Sequence, residues 1–99
     1  MPLFVMIGRT AADAGARRAE VRPRHLEHLG AAARDGRIRL AGPLLEGEGN
    51  APCGSLIVFE AKSFEEAEAF VQRDPYVTEG VLASWEVRGF TQVLPEPAT

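Results

Sequence analysis

The chain has 99 residues, 45% of them hydrophobic and 25% charged, which fits one globular domain and excludes a disordered or fibrous chain. A single cysteine, Cys53, excludes an intrachain disulfide framework, so a small core or a partner must supply the stability. The net charge of -3 excludes the general basic footprint of a nucleic-acid binder, although residues 1–45 hold eight arginines against four acids and residues 46–99 hold three bases against ten acids.

Leu3–Ile7 is an apolar run that predicts a buried strand, ended by Gly8 and Arg9. Thr10–Val21 is alanine-rich, is interrupted by Gly15, and predicts a loose helical turn. Pro23 suits the first turn of a helix and not its interior, so the main helix is expected to start at Arg22 or Pro23 and to run to Asp35. Leu26, Leu29 and Ala33 share one face of it, with His25 beside Leu29 and Ala32 on an adjoining part. Gly36 suits a left-handed cap.

Arg37–Leu45 predicts a second strand, with Ile38 and Leu40 on one face and with Gly42 and Pro43 twisting or ending it. A polar connection, Gly47–Pro52, leads to a third strand, Leu56–Glu60, which is apolar on both faces and therefore central. Ser63 and Glu66 form a capping box for a helix that buries Phe64, Ala67, Phe70 and Val71 and ends near Arg73. Pro75 starts a short turn of helix toward Gly80, and Val81–Val93 contains the fourth strand.

Strand, helix, strand, strand, helix, strand is an α+β order, the ferredoxin-like βαββαβ sandwich of one four-stranded antiparallel sheet with two helices on one side. The expected domain is single and spans 1–99, with a core at 3–93 and a frayed tail at 94–99. The other sheet face is left bare, Trp85 and Phe90 are candidates for it, and a homodimer packed sheet to sheet would cover it. No segment has the apolar length of a transmembrane helix, the apolar start lacks a basic leader, and no ligand cluster has zinc spacing. These point to a cytoplasmic protein with no metal, no membrane partner and no nucleic-acid partner.

Three groups of residues could carry chemistry. Arg22-Pro23-Arg24-His25, at the expected helix start, would combine unpaired amides, two guanidiniums and a candidate base, and so attract a small anion; a packed histidine bonded to a carbonyl is the plainer alternative. Asp74-Pro75-Tyr76 is a turn or helix cap on the plain view. On the functional view Asp74 orients the His25 imidazole and Tyr76 donates to a developing oxyanion. Ala41-Gly42-Pro43 and Cys53-Gly54-Ser55 flank adjacent strands; they allow a ligand or chain close to the backbone, with Ser55 as a hydrogen-bonding group, or form a bulge and a hairpin entry.

These pieces occur in a recognisable order: Arg18, Arg22-Pro23 with His25-Leu26, Asp35-Gly36-Arg37, Ala41-Gly42-Pro43, Gly54-Ser55, Asp74-Pro75-Tyr76-Val77, Gly80-Val81 and a last strand ending at Phe90. In this the chain resembles the YCII-related family from about Leu3 to Val93. The resemblance implies a ferredoxin-like subunit that dimerises into an α+β barrel, with a site built on His25 and Asp74. It also implies proton-transfer chemistry, as in relatives that act in dehydrochlorination or lactone isomerisation. The expected function is a small enzyme of lyase or isomerase type that uses no cofactor. His25 and Asp74 would be catalytic, and Arg22, Arg24, Gly42, Pro43, Ser55 and Tyr76 would bind the substrate. A non-catalytic module that binds a small anion is the alternative.

Overall fold

In the computed structural model, which describes residues 1–97, the elements run β1 (Leu3–Thr10), α1 (Gly15–Arg34), β2 (Ile38–Leu45), β3 (Pro52–Glu60), α2 (Phe64–Gln72), α3 (Pro75–Thr78) and β4 (Leu82–Phe90). Residues 98–99 of the expected tail lie outside the described residues. The sheet order is β2-β3-β1-β4 with antiparallel neighbours throughout, so β1 and β3 are central, as the apolar composition of β3 requires. This is the expected ferredoxin-like sandwich.

Register separates the two faces. Phe4 and Met6 pair with Phe59 and Ile57, and Met6 also pairs with Val87; all five are buried. Val21, Leu29 and Ala32 of α1 and Ala67, Phe70 and Val71 of α2 complete that core. The opposite face carries Leu3, Val5, Ile7, Leu56, Val58 and Phe90, which are half-buried or exposed. Trp85 does not stand there. It pairs with Gly8, two residues from Met6, and packs against the helix-side core.

Several expectations are corrected by packing. Gly8 does not end β1, which runs on to Thr10. A Cβ at Gly8 would meet the Leu82 side chain at 2.7 Å, and one at Gly54 would run into the Gly8 carbonyl oxygen. These glycines permit close approach of strands, so they belong inside the sheet. For the same reason β3 begins at Pro52, ahead of the expected Leu56. Proline and glycine do not interrupt β2 either, because β2 is an edge strand and Pro43 need not donate to a second neighbour. A register shift between Ile38 and Leu40 turns Leu40 out to solvent and parts it from Ile38.

The largest correction concerns α1, which begins at Gly15 and carries Pro23 in its interior. An interior proline costs about 3 kcal/mol and leaves a carbonyl four residues back without its donor. Here that carbonyl belongs to Ala19, and both residues are exposed, so water can reach it. The buried stripe is Val21, His25, Leu29 and Ala32, whereas Leu26 and Ala33 lie outside it and are exposed. Gly36, at φ +75°, takes the expected left-handed position after the helix. Ser63 accepts from the Glu66 N–H as expected, and α2 buries its predicted stripe except for Phe64, which is exposed. No helix among the described residues is long and apolar enough to cross a membrane.

Candidate active site

The buried stripe of α1 carries one polar residue inward, His25, only 7% exposed. It needs a partner there, and α3 supplies one. Pro75 starts α3, and the preceding Asp74 caps it, its Oδ1 accepting the Tyr76 N–H at 2.9 Å. That locks the carboxylate, itself 1% exposed, against His25 Nδ1 at 2.8 Å and 3.0 Å from its two oxygens. Asp-Pro-Tyr is thus both a helix start and the anchor of a histidine 49 residues away. The carboxylate accepts, so in the neutral ring Nδ1 carries the proton and Nε2 keeps its lone pair.

Tyr76 completes the arrangement. Its ring stacks on the His25 ring, with centroids 3.7 Å apart and planes 1° from parallel. Its hydroxyl is buried without a hydrogen-bond partner among the described residues. Burial raises the Tyr76 pKa above its ordinary value near 10; Arg18 and Arg22 pull the other way and Asp74 adds to the rise. The group is therefore a neutral O–H donor at physiological pH. Tyr76 is the chain's one tyrosine, so tyrosinate absorbance reports it alone. We expect it to ionise above its ordinary value near 10, with stability falling as the pH rises from that value through the raised one. Ionisation at or below the ordinary value would contradict the buried hydroxyl.

Beside the pair lies a cavity of about 330 Å³, near the lower end of small-molecule sites. Arg22, His25, Gly42, Pro43, Ser55 and Tyr76 all line it, so the fold unites these predicted residues. Leu26, Leu29 and Ile57 supply apolar walls. Arg24 does not reach it: its guanidinium pairs with Glu79 at 3.4 Å on the exposed side of α1 and α3. The expected anion site at a helix start also loses its premise, because Arg22–His25 lie two turns inside α1.

Two further residues are resolved by the geometry. His28 bonds through Nε2 to the Phe70 carbonyl at 2.9 Å and stacks on the Phe70 ring, a structural role that ties α1 to α2. Arg18 lines the cavity and stands over the Tyr76 ring, 5.3 Å from its centroid. It was not among the residues expected to bind substrate. It shares the helix face of Arg22 and His25, a pattern visible in the sequence only once the helix is started at Gly15.

Comparison with known proteins agrees with this architecture. The YCII-related domain profile matches residues 2–91. Protein YciI of Escherichia coli O6:H1 is 35% identical over 96 residues, covering 92% of this chain and 98% of that protein, and Protein YciI of Shigella flexneri matches to the same extent. Among solved structures, the 5-chloro-2-hydroxyhydroquinone dehydrochlorinase of Burkholderia phenoliruptrix, in complex with 2,5-dihydroxybenzoquinone, superposes with a TM-score of 0.81. It is 27% identical, over 90% of this chain and 93% of its own. An uncharacterized NIPSNAP domain protein from Burkholderia xenovorans, 13% identical over 99% of this chain and 100% of its own with a TM-score of 0.55, shares the fold alone.

Proposed function

The chain belongs to the YCII-related family, and from that premise we propose that it is a small-molecule enzyme of lyase or isomerase type that moves a proton with the His25–Asp74 pair. The observation that carries this reading is a buried histidine, held at Nδ1 by a buried carboxylate, on the wall of a small cavity. His25 Nε2 takes a proton from a ring hydroxyl or an activated C–H. Asp74 keeps the imidazole in the tautomer that can do so and faces the positive charge that then forms. Tyr76 O–H is the donor for the negative charge developing on the substrate.

The dehydrochlorinase relative supports a hydroxylated ring as the substrate class. Net loss of hydrogen chloride from such a ring removes a proton and a chloride and requires no external oxidant. It therefore calls for a proton carrier and an oxyanion donor, which this cavity offers. A second reading, a non-catalytic module for a small anion, draws on Arg22, which lines the cavity without an ion-pair partner among the described residues. Incubation with 5-chloro-2-hydroxyhydroquinone separates the two. Chloride release above the uncatalysed rate supports the enzyme, and saturable binding with no conversion supports the module.

We also propose that the active form is a homodimer packed through the open sheet face, closing an α+β barrel. Val5, Ile7, Leu40, Leu56, Val58 and Phe90 form an uncovered apolar patch on that face, bordered by the Arg88–Glu86 ion pair. The solution mass is expected to be twice the 10.7 kDa of the chain, and Val58→Asp is expected to halve it. A wild-type chain that is monomeric and fully folded at micromolar concentration would refute the dimer.

A further inference from the structure

We propose that Arg18 binds a carboxylate on the substrate, so that the site selects a small ring acid over the corresponding neutral quinol. This rests on the reading of the His25 cavity as the substrate site.

Charge is the first argument. Arg17, Arg24, Arg37 and Arg39 each meet a carboxylate of the chain. Arg18 meets none among the described residues, although it is half-buried; Arg9, Arg22, Arg34 and Arg73 also lack one, but they are exposed. The one acid beside the cavity, Asp74, is already engaged by His25 and by the Tyr76 N–H. Arg18 and Arg22 therefore leave the cavity with an excess of positive charge. An anionic group of the ligand can balance it, and the planar guanidinium matches a carboxylate fork to fork.

Unsatisfied polar atoms are the second argument. Four side-chain polar atoms are buried without hydrogen-bond partners among the described residues; three of them, Arg18 Nε, Thr10 Oγ1 and Tyr76 Oη, belong to residues that line cavities at this end of the molecule, and the fourth, Arg17 Nε, lies outside them. Buried groups of this kind are few in native folds, and each calls for a partner such as a water, an ion or a ligand group. The first three border two hollows, the His25 cavity and an adjoining one lined by Thr10, Ala12 and Gly15. Arg18, Arg22 and Pro52 line both. Arg18 thus stands at the junction, over the same Tyr76 ring on which His25 stacks. A single-ring acid can place its carboxylate at Arg18 and its reacting edge at His25.

The test is calorimetric binding of 2,5-dihydroxybenzoate and of hydroquinone, which differ by the carboxylate. The wild type is expected to prefer the acid by about tenfold or more. Arg18→Met, which keeps the apolar stem, is expected to bring the two affinities within about twofold, and Arg18→Lys to retain part of the preference. Arg34→Met, outside both hollows, controls for net charge and should leave the preference intact. Circular dichroism confirms the fold of each variant, and the lysine variant serves if the methionine variant is unstable. Equal affinities in the wild type, binding of neither compound at millimolar concentration, or a preference that survives the loss of Arg18 would overturn the proposal. Binding is read without turnover, so failure here is distinct from failure of the catalytic reading, which shows as absent chloride release.

Discussion

His25→Asn is expected to lower kcat by about 10²–10⁴ while leaving KM within a few-fold of the wild type. The asparagine amide can occupy the place of Nδ1 and donate to Asp74, so the buried carboxylate keeps a partner and the fold is held. What disappears is Nε2, the only ring nitrogen of His25 not already bonded to Asp74. Arg18, Arg22, Ser55 and the apolar wall remain, so ground-state binding is expected to persist. His25→Ala is the poorer experiment, because it leaves Asp74 buried with one donor fewer, at a cost of about 1–3 kcal/mol or more. Turnover at the wild-type rate in the asparagine variant would remove His25 from the chemistry.

Asp74→Asn is expected to reduce turnover by a comparable or larger factor, about 10⁴ by analogy with the serine-protease carboxylate. Stability should change little. The asparagine carbonyl can still cap α3 by accepting the Tyr76 N–H, the role Asp74 Oδ1 plays now. Its NH₂ group then takes the position of Oδ2, 3.0 Å from His25 Nδ1. The ring N–H then faces this NH₂ and shares the one remaining acceptor, Oδ1 at 2.8 Å, with the Tyr76 N–H, so the tautomer with its proton on Nε2, which lacks the basic atom at the cavity, gains weight. The charge is lost and the productive tautomer loses support while the shape of the site is kept. A fully active Asp74→Asn variant, with an unchanged melting temperature, would show that the carboxylate serves only to cap α3.

The topology was legible because its signals are local and periodic: the apolar runs of β1 and β3, the Ser63 cap, Gly36 after α1 and the Asp-Pro-Tyr start of α3. The errors cluster where tertiary packing overrides local preference. Pro23 reads as a helix start because proline disfavours the interior, yet its exposed side leaves the Ala19 carbonyl to water. Gly8 reads as a break because glycine is flexible, yet it lies inside β1, and its carbonyl comes too close to Gly54 of β3 for a Cβ there. The error at Pro23 spread to the site. With the helix begun at Arg22, Arg24 looked like a ligand group and Arg18 lay outside the helix. The contact between His25 and Asp74 was within reach because both types suit proton transfer, but its distance is set by the packing of α1 on α3, which no spacing encodes.

The central claim is that His25 offers a bare Nε2 to the cavity because Asp74 holds the proton on Nδ1. Nitrogen NMR of the two histidines tests it, and His28 provides the internal contrast, since its Nε2 donates to the Phe70 carbonyl. Neutral His28 is expected with its proton on Nε2 and neutral His25 with its proton on Nδ1, the latter signal vanishing in His25→Asn and shifting toward Nε2 in Asp74→Asn. A neutral His25 protonated on Nε2 in the wild type would contradict the account.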